Sequence, residues 1–269
     1  MTTPASPSPL PLFYRSPMLL RGNEHGGFGL RRCDDCAFAA EATAVPLVAS
    51  EFAAAGRHYP IVFAADESAA PLAVLGVAAG RNLFVDDGGR WRAGSYVPGY
   101  VRRYPFIAMA AAEGGPLMLG IDSASPRLVT RAQADGTMDA DAFFTIDGQP
   151  TAASQDAMAF CEAYAMEGER TAAFVAALKA NDLLVERTVR IRYDGLPAPA
   201  DEADATPGAH AQVNGFRLVD EEAFRKLPAK TIATFHANGW NDLVVLHLAS
   251  QLSWQALIEV SAPPLAEAA

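Results

Sequence analysis

Two Tyr-Pro corners, each leading into an apolar run, limit what this 269-residue chain can fold into. The stretch from Pro46 to Val77 reads as a short helix, a Tyr-Pro corner, an apolar strand, a polar turn and a second apolar strand. Ser50 is placed to cap the helix Glu51 to Ala55, with Glu51 in the positive first turn. Pro60 ends that helix before Tyr59, because a residue preceding proline avoids the helical region. Ile61-Val62-Phe63-Ala64 is apolar without interruption, which predicts a strand buried on both faces. Asp66-Glu67-Ser68 forms the turn. Pro71 to Val77 returns as a strand, with the proline at its entrance where no ladder amide is lost.

A shift of 45 residues repeats the pattern in diluted form. Arg57, Tyr59, Pro60, Ala65, Pro71 and Leu72 fall on Arg102, Tyr104, Pro105, Ala110, Pro116 and Leu117, and Ile61-Val62 falls on Phe106-Ile107. Two similar hairpin units pairing in one sheet is the architectural reading. Chance in an alanine-rich chain is the simpler alternative, and a pocket on a pseudo-twofold axis between the copies is the bolder one.

Further along, Phe28 to Arg32 reads as a strand and Asn82 to Arg92 as a hairpin around Asp87-Gly88. Asp141 to Ile146 is a short strand or helix, and Ser154 to Asn181 is helical with a possible break at Gly168. Phe160, Tyr164, Thr171, Phe174 and Leu178 share one stripe of that helix. Val185 to Tyr193 alternates as a half-exposed strand, and 194–209 is a loose, acidic, proline-rich loop. Asp220 caps a helix from Glu221, and a second helix ends at Asn238-Gly239. Trp240 to Ile258 reads as a buried helix, with a strand at Leu243 to Leu248 as the alternative. The expected fold is a single α+β domain over 17–260. It has a mixed or antiparallel sheet built on the two units, covered on one face by the C-terminal helices. Flexible tails at 1–16 and 261–269 flank it.

Hydrophobic residues make up 51% of the chain and charged ones 19%, ample for a packed core. A net charge of −10 repels phosphate backbones and anionic membrane surfaces, so nucleic acid is not an expected partner. No uninterrupted apolar run reaches the ~20 residues of a membrane-spanning helix, so no membrane span is expected. The first ten residues lack a basic and then apolar leader, and three cysteines give no disulfide framework. Both observations point to a cytoplasmic location.

Candidate chemistry is sparse. Glu24 and His25 set a carboxylate beside an imidazole in a glycine-rich segment, a cluster suited to acid–base or metal work, with a capping role as the simpler reading. His58 stands at the first Tyr-Pro corner, and Arg57 and Arg102 precede the two corners, where a matched pair could clamp an anion. A pocket holding at least two of these five residues is what an enzyme or ligand-binding protein requires. Cys33-x-x-Cys36 holds two aspartates between its sulfurs, the opposite of the electropositive setting a reactive thiolate needs, and no further ligand pair exists for zinc. Neither a metal nor a cofactor is expected. Nucleotide loops, a nucleophile elbow and a zinc-peptidase helix are all missing from the sequence.

Several ordered blocks together resemble the SapC-like family. Val45-Pro46-Leu47 with Glu51-Phe52 and Tyr59-Pro60-Ile61-Val62-Phe63 is similar to its N-terminal signature, and Tyr96-Val97-Pro98 with Tyr104-Pro105-Phe106 to its second block. Phe160 and the helix after it, Gly215 to Glu221, and Leu246-His247-Leu248-x-Ser250-x-Leu252 continue the likeness over about Asn23 to Ile258. The family's tail usually reads His-x-x-Ser-Leu; here Gln251 stands between Ser250 and Leu252. The resemblance implies a bacterial protein tied to a surface-layer locus. Members of that family are often found near genes for flavin-dependent tryptophan-halogenase-like proteins, cupin-like proteins and TonB-dependent receptors. Such proteins are sometimes labelled peptide-transporter permeases, a label at odds with the missing membrane span. It implies no catalytic residues and no role for the tail motif. Two functions remain open: a non-enzymatic accessory or interaction protein with a protein partner or self-association, and an enzyme or binding protein for a small metabolite or peptide.

Overall fold

The computed structural model describes residues 10–111, 115–130, 140–192 and 209–261. In chain order its elements begin with β1 (Pro17–Leu19), α1 (Gly22–His25), β2 (Gly29–Arg31), β3 (Ala44–Pro46), α2 (Phe52–Ala55), β4 (Ile61–Ala64) and β5 (Pro71–Val74). Next come α3 (Gly99–Arg103), β6 (Phe106–Ala110), β7 (Leu117–Asp122), β8 (Leu128–Val129), β9 (Ala140–Ala142) and α4 (Ala152–Ala180). Then follow β10 (Leu184–Arg192), β11 (Ala209–Val219), α5 (Glu221–Arg225), α6 (Ala229–Ala237), α7 (Trp240–Ser250) and α8 (Ser253–Ser261). The fold is α+β, as expected, and all strand pairings are antiparallel.

Contacts divide the chain into two compact units. The first comprises Met1–Asp34 and Arg102–Ala165. It carries two three-stranded sheets, ordered β1-β7-β6 and β8-β2-β9. Leu20, Ile121 and Phe143 form its fully enclosed centre, with Phe28, Leu30, Phe106 and Leu128 packed around them. Residues 1–9 of the expected N-terminal tail lie outside the described residues, but its last part is anchored. Tyr14 is buried and packs edge-on against Tyr104 at 5.4 Å.

The second unit comprises Asp35–Val101 and Met166–Ala269. It holds a five-stranded sheet ordered β10-β11-β4-β5-β3. Ile61, Val62 and Phe63 are all buried, the two-faced burial their unbroken apolar run demands, and β4 sits between β11 and β5 accordingly. The Phe63 ring meets Phe174 of α4 at 6.3 Å and His247 of α7 at 5.0 Å, so both helices cover the same face of the sheet.

The two Tyr-Pro hairpins do not share a sheet. Each pairs with itself as predicted, β4 with β5 and β6 with β7, but in different sheets and in different registers. Ile61 faces Ala73, so an unbroken 45-residue repeat would set Phe106 against Met118; it faces Ile121 instead. The physical reason is visible in burial. β6 is a half-buried edge strand with two alanines, and it cannot supply the two apolar faces that hold β4 inside a sheet.

Other expectations are corrected locally. The turn before α2 starts at Ala49 with Val48 as its cap, and Ser50 is exposed; the Glu51 side chain does the capping, accepting from the Val48 N–H at 3.0 Å. Gly168 lies inside one unbroken helix, since a single interior glycine costs only about 1 kcal/mol relative to alanine. β11 begins at Ala209, at the end of the expected acidic loop, whose remaining residues lie outside the described ones. Trp240–Ser261 is long and apolar enough to cross a membrane by length and composition, contrary to the run-based reading, since only Asp242 and Glu259 in it are charged. In the fold it is two helices parted at Gln251-Leu252, and its polar side chains bond to other elements of the unit.

Candidate functional site

The residues singled out in the sequence have local partners. Glu24 is exposed and pairs with Arg21 at 3.1 Å, one turn of α1 away. His25 accepts the Arg21 backbone N–H on Nδ1 at 3.0 Å and lays its ring against Phe28 at 5.0 Å. Arg102 is exposed on α3, with its guanidinium 5.2 Å from the centre of the Phe160 ring. Arg57 and His58 belong to the second unit. Arg57 is exposed, and His58 leans on the Tyr59 ring, its pKa lowered by partial burial and by the Arg57 charge. Cys33 is exposed and Cys36 half-buried, while the thiol of buried Cys161 is pushed up to about 11 by desolvation.

Three buried polar groups outside the five site candidates each tie distant segments together. The first is Glu51, which ends up buried. One carboxylate oxygen accepts from the Val48 N–H, and the other from the Tyr96 hydroxyl at 2.8 Å and the Gly99 N–H at 2.6 Å. It ties α2 to the Tyr-Val-Pro turn that opens α3. Beside it, the Tyr59 hydroxyl donates to the Tyr96 carbonyl and accepts from the Trp91 indole N–H, and burial raises its pKa.

Asp122 is the second. It is fully buried at the end of β7 and accepts from the Ser16 N–H at 2.7 Å, the Arg15 N–H at 3.2 Å, the Ala124 N–H at 3.3 Å and the Tyr104 hydroxyl at 3.0 Å. Burial, then the Asp122 carboxylate, push the Tyr104 phenol up to about 12. Both tyrosines of the Tyr-Pro corners thus work as buried hydroxyl anchors, each in its own unit.

The third group is the tail motif. Strands β4 and β11 pair at Phe63↔Arg217 and Ala64↔Phe216, so the next bonded pair along this ladder is Ile61 with Val219. There the ladder is replaced by side chains of α7. The His247 Nε2 accepts the Val219 N–H at 3.1 Å, Ser250 Oγ accepts the Ile61 N–H at 3.0 Å, and Gln251 Nε2 donates to the Ile61 carbonyl at 2.8 Å. Three of the four backbone groups of the missing pair are satisfied this way. His247 has no exposed surface, its Nδ1 has no partner, and burial holds its pKa down at about 4, so the imidazole is neutral. Gln251 is one of the three groups, and its Oε1 also accepts the Trp254 indole N–H at 3.0 Å. Ser250→Ala leaves the Ile61 N–H buried without an acceptor. The expected loss is about 1–2 kcal/mol in urea denaturation, and an unchanged midpoint would show that the wedge carries no stability.

A groove of about 450 Å³ on the second unit is lined by Arg81, Asn82, Asp86, Asp87, Gly89 and Val260 among others. None of the five sequence candidates lines it. Asn82, one of its lining residues, is buried, donating to the Ala39 carbonyl at 3.0 Å and accepting the Phe84 N–H at 2.9 Å. Among the described residues no group of three or more His, Cys, Asp or Glu is arranged to hold a metal ion.

No curated protein and no solved structure matches the chain. A family model does: that of SapC, over residues 20–257. The match takes in both Tyr-Pro corners, the Glu51 and Asp122 anchors and the α7 wedge, and with most of its length covered the chain belongs to the SapC family.

Proposed function

We propose that this SapC-family chain is a non-enzymatic cytoplasmic accessory protein that acts through protein contacts, in the service of bacterial surface-layer or outer-membrane nutrient-uptake systems. One observation carries the reading. The buried groups best suited to chemistry, Glu51, Asp122 and His247, each accept hydrogen bonds from backbone N–H groups, and so serve the fold. Supporting it, Glu24 and His25 are engaged with Arg21, and Arg57 and His58 belong to a different unit from Glu24, His25 and Arg102. The surface-layer link comes with the family resemblance, and the location with the cysteine usage, three thiols and no disulfide framework.

The rival reading, an enzyme or binding protein for a small metabolite or peptide, has one feature in its favour: the groove lined by Arg81, Asp86, Asp87 and the buried Asn82. A thermal-shift screen of the full chain with metal ions and small metabolites separates the two, because a ligand selective for the native state raises Tm. The accessory reading expects no ligand to move Tm by more than about 1 °C, since a ligand near its Kd adds only about 0.4 kcal/mol. A rise of several degrees that disappears in Arg81→Ala would replace it with the rival.

A further inference from the structure

Two of the six asparagines precede a glycine: Asn214-Gly215 and Asn238-Gly239. A glycine has no Cβ to shield its backbone nitrogen, so that nitrogen can reach the side-chain amide carbon of the asparagine before it. The fold treats the two dipeptides oppositely. Asn238 ends α6 and is tied down. Its Nδ2 donates to the Thr234 carbonyl at 2.8 Å, and its own N–H to the same carbonyl at 3.2 Å. The Gly239 N–H, the nitrogen that would have to attack, donates to the His236 carbonyl at 3.0 Å. Asn214 and Gly215 lie in a gap of the β11 ladder. Arg187 pairs with Phe216 and Val189 with Val213, so the register passes over both residues. On the other side β4 pairs only with Phe216 and Arg217. Asn214 and Gly215 are exposed, and among the described residues no hydrogen bond holds the Asn214 amide. Gly215 sits at φ +75°, and among the described residues a Cβ built there would meet nothing within 4 Å.

We propose that Asn214 is a self-modification site, where the side-chain amide is exchanged for a carboxylate through a cyclic imide formed with Gly215, and that the fold spares Asn238. In the first step a bond forms between the Gly215 backbone nitrogen and the Asn214 Cγ. The Cγ–Nδ2 bond breaks, and the proton from the Gly215 N–H leaves with that nitrogen as ammonia. Water then opens the ring. Addition at the side-chain carbonyl gives aspartate; addition at the backbone carbonyl gives the β-linked isoaspartate. The net exchange is a water taken up and an ammonia released, with no change of oxidation state. At Asn238 the same step must first break the bonds that hold the amide and the attacking nitrogen. Each converted chain adds a negative charge to a molecule that already carries −10. The inference goes beyond the accessory reading and holds equally for an enzyme.

Timed incubation of the full native chain at mildly alkaline pH tests it, with aliquots digested by trypsin at mildly acidic pH and read by fragmentation mass spectrometry. Cleavage after arginine and lysine places Asn214 in the peptide 193–217 and Asn238 in 231–269, so the two sites are followed separately. Asn214 is expected to lose ammonia roughly tenfold or more faster than Asn238, the factor that the hydrogen bonds broken at Asn238 imply. In concentrated urea the two rates are expected to converge, because both dipeptides are then simply Asn-Gly. Asn214→Gln, whose longer side chain disfavours ring closure, is expected to abolish the acidic form that ion exchange resolves from the aged wild type. Native Asn238 converting as fast as Asn214 would overturn the proposal. So would a gap between the two sites that persists unchanged in urea, since the fold would then not be what separates them.

Discussion

Asp122→Ala is expected to cost about 3–5 kcal/mol of folding stability. The carboxylate is fully buried and serves four donors: the backbone N–H groups of Arg15, Ser16 and Ala124 and the Tyr104 hydroxyl. Alanine removes the acceptor and strands every donor at once, and a buried donor left unmade costs more than a made bond contributes. The loss falls where three elements join: the end of β7, the lead into β1 and the second Tyr-Pro corner. Asp122→Asn keeps one carbonyl oxygen but turns an amide toward donors, so an intermediate loss of about 2 kcal/mol is expected. Tyr104→Phe removes one bond and should cost about 1 kcal/mol. Urea denaturation measures all three. If the alanine variant unfolds within about 0.5 kcal/mol of the wild type, the node does not hold the unit together.

The second large effect depends on pH. Buried His247 has its pKa lowered from 6.5 to about 4. Between those values the unfolded chain binds a proton that the folded chain refuses, so stability rises with pH across this window. The contribution is complete above pH 6.5 and is lost as pH falls toward 4. The span corresponds to about 3 kcal/mol. Protonation there places a charge against Phe63, with the Val219 N–H aimed at the same ring. His247→Gln retains an acceptor for that N–H and carries no titrating group. It is expected to be modestly less stable at pH 7, by about 1 kcal/mol, and to lose less stability than the wild type between pH 6.5 and 4. Denaturation midpoints collected across that range decide the matter; parallel curves for the two proteins would refute the assignment.

The path from sequence to fold was clearest where burial is two-sided. Ile61 to Ala64 could be read as an interior strand because four apolar residues in a row leave no solvent face, and the structure places β4 second from neither edge. Capping signals held at two places and failed at one: Asp220 accepts from the Ala223 N–H at 3.0 Å at the start of α5, and Gly239, at φ +71°, separates α6 from α7 as Asn238-Gly239 suggested, but Ser50 caps nothing. The anchors were not legible. Glu51 looks like an ordinary first-turn carboxylate, and Asp122 like the polar end of a strand. Nothing local records that Tyr96 and Gly99, or Ser16 and Tyr104, arrive from far along the chain. The one available signal was Ser250 and Gln251 beside His247 in an otherwise apolar segment, since polar groups in such a segment require partners.

Composition and pattern by themselves determined the α+β class, the two self-paired Tyr-Pro hairpins, the helical C-terminal segment and membership of the SapC family, because each rests on local periodicity or on ordered local blocks. Which sheet each hairpin enters, and which side chains become buried acceptors, was decided by tertiary structure alone. A hairpin's internal bonds are the same in either sheet; its outer edge is satisfied only by what packs there. For β4 that neighbour is β11, followed by His247, Ser250 and Gln251 where the two strands part.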